Sequence, residues 1–478
     1  MGQELNNPDR RSFLRTSAVT AAGLATAASA RRVLGANDRV RVAVVGLRGR
    51  GWDHVKGYHS LPNVELAYFC DVDENVLSKR CGDAEKMGIA KPQTYTDIRK
   101  LLEDKNVDAV SIATPNHWHS LMGIWAAQAG KDIYIEKPCS HNWWEGRQLV
   151  RAINKYKVIC EHGSQCRSSA AVREAIDQMN GGLIGDVYMS RGLCYKWRAS
   201  IGRASEQAVP AGVNYDLWTG PAPMKPFTKN RFHYNWHWIW DTGNGDLGNQ
   251  GIHELDLARW GLGVGLPNKV TAIGGHFMFE DDQETPNVLT AVYEFPVPGG
   301  KPKMMNFEVR GWMTNHEAGI GTPEFAGGEV PAAGLQQAKQ GMPAKEKEKG
   351  LGPASGAPAT IGNLYYGSKG YVAISGYDAY KSYLGENNEP GPSKHAPAGN
   401  EHFLNFIECV RTRNAANLHA PIEEGYKSTT LVHLANASYR LGRTIHLDPD
   451  KEEVINDTEA AELLKGTYRS PYAVPENV

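Results

Sequence analysis

The sequence predicts an α/β protein in two parts: a parallel-sheet domain first, then an α/β domain with a large open, mostly antiparallel sheet. Three observations predict it. A β-branched run enters a glycine-rich turn and a helix over residues 41–59. Strand and helix then alternate up to about residue 162, and beyond about residue 184 the alternation gives way to separated strands.

The first element is Arg41-Val-Ala-Val-Val-Gly46-Leu47-Arg48-Gly49-Arg50-Gly51, followed by a helical stretch over 52–59. This strand–turn–helix order is the start of a Rossmann dinucleotide-binding unit. Its glycines let the backbone close on a pyrophosphate at the helix N-terminus. The spacing is G-x-x-G-x-G, with Arg48 where a second glycine is usual, and glycines alone would equally suit a tight turn. The position between strand and helix decides for the nucleotide. The next apolar run, Val64–Cys70, ends in Asp71, placed to accept hydrogen bonds from ribose hydroxyls. Gly46, Leu47, Arg48, Gly49, Arg50, Gly51 and Asp71 are therefore expected cofactor contacts.

Further strands are expected at 107–113, 132–136 and 158–161, with helices at 120–129 and 145–155. Polar turns follow the strand ends: Thr114-Pro-Asn116-His117, Glu136-Lys137-Pro138 and His162-Gly-Ser-Gln165. The ligand crevice of an open parallel sheet lies outside these carboxyl ends. Thr114, Asn116, His117, Glu136, Lys137 and Gln165 thus join the expected cofactor contacts. Beyond residue 184, stretches 187–195, 270–275, 289–295, 304–311 and 370–374 read as strands and 254–260 as a helix. The Gly-, Ala-, Pro- and Lys-rich stretch 317–360 reads as a long surface loop. Amphipathic helices are expected at 401–411 and 427–443. The expected division is 1–30 signal peptide, 38–162 Rossmann domain, 163–448 second domain with an insertion at 317–360, and 449–478 a peripheral tail.

The signal peptide rests on Asp9-Arg-Arg-Ser-Phe-Leu-Arg15, a twin-arginine pattern, with an alanine-rich run at 16–27 and a small-x-small site at Ala28-Ser29-Ala30. A disordered basic tail is the bland alternative. The run is too poor in large apolar residues for a good membrane span. Export of the folded protein to the periplasm or beyond is the expectation, with no stable membrane insertion after cleavage. A net charge of −1 over 478 residues argues against nucleic acid as a partner. The seven cysteines are odd in number and hold no C-x-x-C pair, so they read as buried thiols.

Two clusters carry chemistry. In Glu136-Lys137-Pro138 the proline ends the strand, leaving the lysine amine at the crevice. Beside a cationic nicotinamide ring its pKa would fall and it could donate to a substrate oxygen. The second cluster spans residues 231–256 and mixes aromatics with carboxylates, amides and histidines. Indole faces suit sugar C–H faces and the polar groups suit its hydroxyls. Trp236, Trp240, Asp241 and Asn249 are the expected substrate contacts, with most other aromatics left to the core. Asn249 and His253, four apart at a helix start, are expected on one face, with neutral His253 taking a carbinol proton. A satisfied structural histidine is the plain alternative. Histidines at 117 and 119 raise a metal as a competing reading, but neither has an obvious carboxylate behind it, so no metal is expected.

These motifs, with Cys70-Asp-Val-Asp73 and Glu401-His-Phe-Leu-Asn-Phe406, make the chain resemble the Gfo/Idh/MocA family over residues 39–448, and most closely its secreted branch. The resemblance implies a Rossmann domain, a second α/β domain with an open sheet used in oligomer contacts, and hydride transfer at a sugar or cyclitol carbon. It also implies a tightly bound NAD, with NADP left open by Arg48 and Arg50, and a homodimer or homotetramer. By the same resemblance Lys137 contacts nicotinamide and substrate, and His253 is the catalytic histidine of a D-x-x-x-H pattern whose acid position is here Asn249. Outside the cytoplasm no free nicotinamide pool recycles a spent cofactor. A retained cofactor implies paired sugar oxidation and reduction, or redox-assisted glycoside cleavage as in glycoside hydrolase family 109. Oxidation with a separate acceptor is a third course, and a non-catalytic sugar-binding protein is the alternative outside enzymes.

Overall fold

The computed structural model describes residues 39–312, 314–327 and 359–478. The expected signal peptide and most of the expected 317–360 loop lie outside these residues.

Strand β1 (Val40–Val45) is β-branched at four of its six positions and is buried on both faces, as a central parallel strand must be. It pairs in parallel with β2 (Val64–Cys70) on one side and β4 (Ala109–Ile112) on the other. With β3 (Gln93–Tyr95), β5 (Asp132–Ile135) and β6 (Cys160–His162) they form a six-stranded sheet in the order β3-β2-β1-β4-β5-β6. The direction of travel reverses between β1 and β4, so the crevice opens above these two strand ends. Helices Gly49–His59, Glu74–Lys86, Asn116–Gln128 and Trp143–Tyr156 make four of the crossovers, and the short helix Ile98–Leu102 lies in the fifth, from β3 to β4. Asp73 caps the second through the amides of Asn75 and Val76, and Asn142 caps the fourth through Glu145 N.

Among the described residues the second sheet has ten strands. Its centre is β7 (Val187–Lys196), antiparallel to β11 (Ala359–Gly367) and parallel to β10 (Lys303–Arg310). The parallel pair is what keeps the sheet mostly, and not wholly, antiparallel. Beyond β10 lie, in order, β9 (Val288–Phe295), β8 (Lys269–Gly275), β15 (Ile445–Asp448) and β16 (Glu453–Val454), and beyond β11 lie β12 (Gly370–Ser375), β13 (Ala379–Leu384) and β14 (Glu389–His395). Helices Gly251–Leu262 and Ile422–Leu441 cover one face, and one continuous core joins both sheets through them.

Two sequence expectations change here. Residues 449–478 are not peripheral: Leu464, Tyr472 and Val474 are buried in the main core, and Gln148 Nε2 donates to Pro475 O at 2.7 Å. Short, polar and proline-containing, the segment offers only the amphipathic helix Thr458–Lys465, eight residues long, to announce this. Helix Asn116–Gln128 also begins four residues earlier than expected, straight after Pro115, which is well suited to a helix start. All seven cysteines are free thiols and six are buried. Among the described residues no helix is long and apolar enough to cross a membrane.

Candidate active site

A cleft of about 680 Å³ lies over the carboxyl ends of β1, β2 and β4. At its floor the glycines do different jobs. Gly46 holds φ at +81°, and a Cβ there would stand 2.7 Å from Ala113 O. A Cβ on Gly51 would collide with the Gly46 carbonyl, so the helix start is pressed onto the turn. A Cβ on Gly49 would meet nothing within 4 Å. The helix carries no side-chain cap and no acid in its first turn, so its leading N–H groups are left for a ligand. At the end of β2, Asp71 Oδ2 accepts from Leu47 N at 2.8 Å and Oδ1 from Asp73 N at 3.0 Å. Burial raises its pKa to about 6 against these bonds. An uncapped helix start, a glycine open to the cleft and a fixed carboxylate together fit a dinucleotide: pyrophosphate at the first, ribose hydroxyls at the last.

The other end of the cleft carries Lys137, next to a cis peptide to Pro138. Its Nζ donates to the Asn249 carbonyl, which brings the two chemical clusters together. Burial pulls its pKa down to about 8, with Glu136 opposing and Arg50 and Arg198 adding to the fall. The neighbouring carboxylate is not free to neutralise it. Glu136 is buried and ion-paired to Arg50 Nε at 2.7 Å, and His54 Nε2 sits 3.0 Å from the same oxygen. Burial works to raise Glu136, but Arg50, His54 and Lys137 outweigh it and hold its carboxyl well below the ordinary value. His253 is buried, with Nδ1 3.9 Å from Cys166 Sγ and its ring 5.2 Å from that of Tyr377. Burial first, then the Lys137 charge, holds it well below the ordinary histidine value, so it is a neutral imidazole.

A model of an oxidoreductase family's NAD-binding Rossmann fold matches residues 40–164, and that family's C-terminal alpha/beta domain matches 170–272 and 367–474. The chain belongs to the Gfo/Idh/MocA oxidoreductase family. A glycosyl hydrolase family 109 protein of Shewanella pealeana is 28% identical over 201 residues, 37% of this chain and 44% of that one. The match thus spans under half the length of that relative. The aldose-aldose oxidoreductase of Caulobacter crescentus, solved with glycerol, superposes with a TM-score of 0.59 at 18% identity, covering 86% of this chain and 100% of that one. A levoglucosan dehydrogenase solved with NADH gives 0.60 at 16%, over 85% and 99%. These likenesses show the shared fold.

Within this Gfo/Idh/MocA scaffold the expected residues divide. Gly46, Arg48, Gly49, Arg50, Asp71, Thr114, Asn116, Glu136, Lys137, Trp236 and Asn249 line the cleft. Leu47 is buried core and reaches the site through its backbone N–H. Gly51 acts through close packing, and Gln165 lies behind the cleft against Arg50 and Gly163 O. His117 turns away: its Nε2 is 3.0 Å from Trp218 O and Nδ1 3.4 Å from Thr242 O. His119 likewise faces two backbone carbonyls, of Pro138 and Thr114.

Asn249 and His253 do not share a helix. One short helix, Gly245–Asn249, ends before Gln250, and the next, Gly251–Leu262, begins after it. The expected shared helical face is therefore broken at Gln250: Asn249 lines the cleft, while His253 lies buried behind its lining. None of the nearby acids stands in for one at Asn249. Asp246 is held by Arg198 at 2.9 and 2.7 Å, and Asp256 by Arg167 at 2.7 and 2.8 Å. Burial lifts Glu254 to about 8. Trp240 and Asp241 line a separate cavity, and Trp236 is largely core, packed with Trp218, Phe227 and Phe232. The cleft instead receives His233, Tyr234 and His237 from the same aromatic segment, and Lys196 from the end of β7. The segment was legible and its inward members were not, because it forms short 3₁₀ turns with no period to read. Nothing in sequence marks Lys196.

Proposed function

We propose that this protein is a sugar-active oxidoreductase that retains NAD, moving hydride to and from a carbinol of a sugar, glycoside or cyclitol. The observation that carries the reading is Lys137 at one end of the cleft, its Nζ on the Asn249 carbonyl and its pKa lowered by burial, with a buried, neutral His253 behind the cleft lining and within the field of its charge. A bound nicotinamide dinucleotide supplies the hydride acceptor and donor. Lys137, exchanging the Asn249 carbonyl for the substrate, donates a hydrogen bond to the carbinol oxygen and steadies its developing charge. His253, neutral and hence able to accept, takes the hydroxyl proton and returns it in the reverse direction. Asp71 favours NAD over NADP, since a 2′-phosphate beside it would meet a second negative charge. Tight retention follows the twin-arginine export reading, because a periplasmic or secreted enzyme has no nicotinamide pool to draw on. Assembly as a homodimer or homotetramer through the outer face of the ten-stranded sheet would cover Ile273, Val292 and Met304, which stand exposed there.

The protein purified without added nucleotide tests this reading. Denaturation should release NAD in near-equal amount to chain, identified by mass. A protein that is empty and binds neither NAD nor NADP on addition would refute the hydride mechanism. The similarity to glycosyl hydrolase family 109 proteins favours one second reading, glycoside cleavage through a transient oxidation. Release of free sugar from nitrophenyl glycosides without net NADH would select it.

A further inference from the structure

Strand β7 ends in Lys196, which brings a second ammonium to the cleft that holds Lys137. The two lysines are fixed on neighbouring residues. Lys137 Nζ donates to the Asn249 carbonyl, and Lys196 Nζ donates to Gln250 Oε1 at 3.2 Å. Both acceptors are neutral, and among the described residues Lys196 forms no ion pair.

The other charges of the cleft are committed elsewhere. Of the five acids lining it, Asp53, Asp71, Asp73 and Asp97 follow β1, β2 and β3, and Glu136 is spent on Arg50 and His54. Arg198 is closed by Asp246, at 2.9 and 2.7 Å. Glu254 lies behind Gln250, but burial lifts it to about 8, so it is uncharged at neutral pH, and its Oε1 accepts from Gln250 and Tyr377. Asn249, which lines the cleft beside both lysines, brings an amide and no carboxylate. His237 lines the same end. Burial first, then the charges of Lys137 and Arg198, holds it well below the ordinary histidine value, so it is neutral. Among the described residues no carboxylate pairs with either ammonium here. A neutral sugar closing over Lys196 would strip water from its charge and return only neutral hydrogen bonds, whereas a carboxylate would answer it with a charge-assisted one. The guanidinium fork of Arg198 is already filled, so one ammonium is left, which suits a carboxylate better than a dianionic phosphate.

We propose that Lys196 is a specificity-determining residue and that the sugar taken at this cleft is a sugar acid, its carboxylate held by Lys196 while the reacting carbinol lies at Lys137. The inference rests on the hydride-transfer reading of this cleft and adds the charge of the substrate to it.

Calorimetry on the NAD-loaded full chain, its nucleotide content checked by mass, reads binding apart from turnover. The probes are matched pairs: D-glucuronate, D-galacturonate and D-gluconate against D-glucose, D-galactose and D-glucitol, with D-glucose 6-phosphate as a different anion. At least one acid should bind about tenfold or more tightly than its neutral counterpart, and added salt should narrow the gap. Lys196→Gln should abolish the preference while nucleotide content and neutral-sugar affinity stay in place, and Lys196→Arg should restore it. Lys196→Met, which keeps the apolar stem, serves if Lys196→Gln does not fold. Acids that bind no better than their neutral counterparts, glucose 6-phosphate preferred over every acid, or a preference unmoved in the folded Lys196 variants would each overturn the proposal and leave the hydride reading standing. A chain that neither carries nor takes up NAD would refute the hydride reading, and this inference with it.

Discussion

Lys137 and its partners set a measurable pH dependence. The ammonium form is the one that can donate to a carbinol oxygen, and burial places its titration at about 8. Activity limited by hydride transfer should therefore fall as pH rises through about 8, and Lys137→Arg should remove that alkaline limb, since a guanidinium stays charged. Replacement by methionine, or of His253 by alanine, should lower kcat/KM by about 10²–10⁴-fold. Stability runs the other way. Folded Lys137 gives up its proton before the unfolded chain does, so the unfolded state binds more protons between about pH 8 and the ordinary lysine value, and stability contributed by this group rises across that window. Asn249→Asp offers a second handle. A carboxylate beside Lys137 would favour its charged form, so the alkaline limb of the pH–rate profile should move upward. A limb that stays in place would separate residue 249 from the electrostatics of the lysine.

At the scale of elements, the turn between β1 and helix Gly49–His59 separates packing from ligand contact. Gly51→Ala drives a Cβ into the Gly46 carbonyl and should cost about 1–3 kcal/mol of stability along with nucleotide retention. Gly49→Ala meets nothing in the chain and sits at a helix start, so it should leave the melting temperature unchanged or slightly raised. Its effect should appear only in nucleotide content. Equal destabilisation by both would contradict the open space at Gly49. This turn was legible in sequence because its requirements are local: β-branched residues, then glycines, then a helix. The Glu136-Lys137-Pro138 turn was legible for the same reason. Placement across elements was not. His117 and Asn116 are neighbours in sequence, yet one faces Trp218 O and the other the cleft, a choice made by residues about a hundred positions away. The break at Gln250 likewise puts Asn249 in the cleft and His253 behind its lining, a separation that i, i+4 counting does not contain.

Across the whole molecule, the C-terminal segment ties the two sheets' helices together and closes the cavity lined by Trp240 and Asp241. Leu464, Tyr472 and Val474 insert into the shared core, and Arg469 reaches Asp216 at 2.7 Å and the Gly220 carbonyl at 2.9 Å. Burying three such side chains contributes on the order of 5 kcal/mol, comparable with the whole net stability of a domain. A chain ended at residue 448 should therefore be recovered aggregated or with a melting temperature lower by about 10 °C or more. If it is soluble, scanning calorimetry reads the loss directly. A protein ending at 448 that melts like the full chain would show that these contacts add nothing to the fold. The same shortened chain separates the nucleotide cleft from the cavity that the C-terminal segment walls. Residues lining the nucleotide cleft all precede 250, whereas residues 462–468 wall that cavity. Any folded fraction should therefore keep its nucleotide.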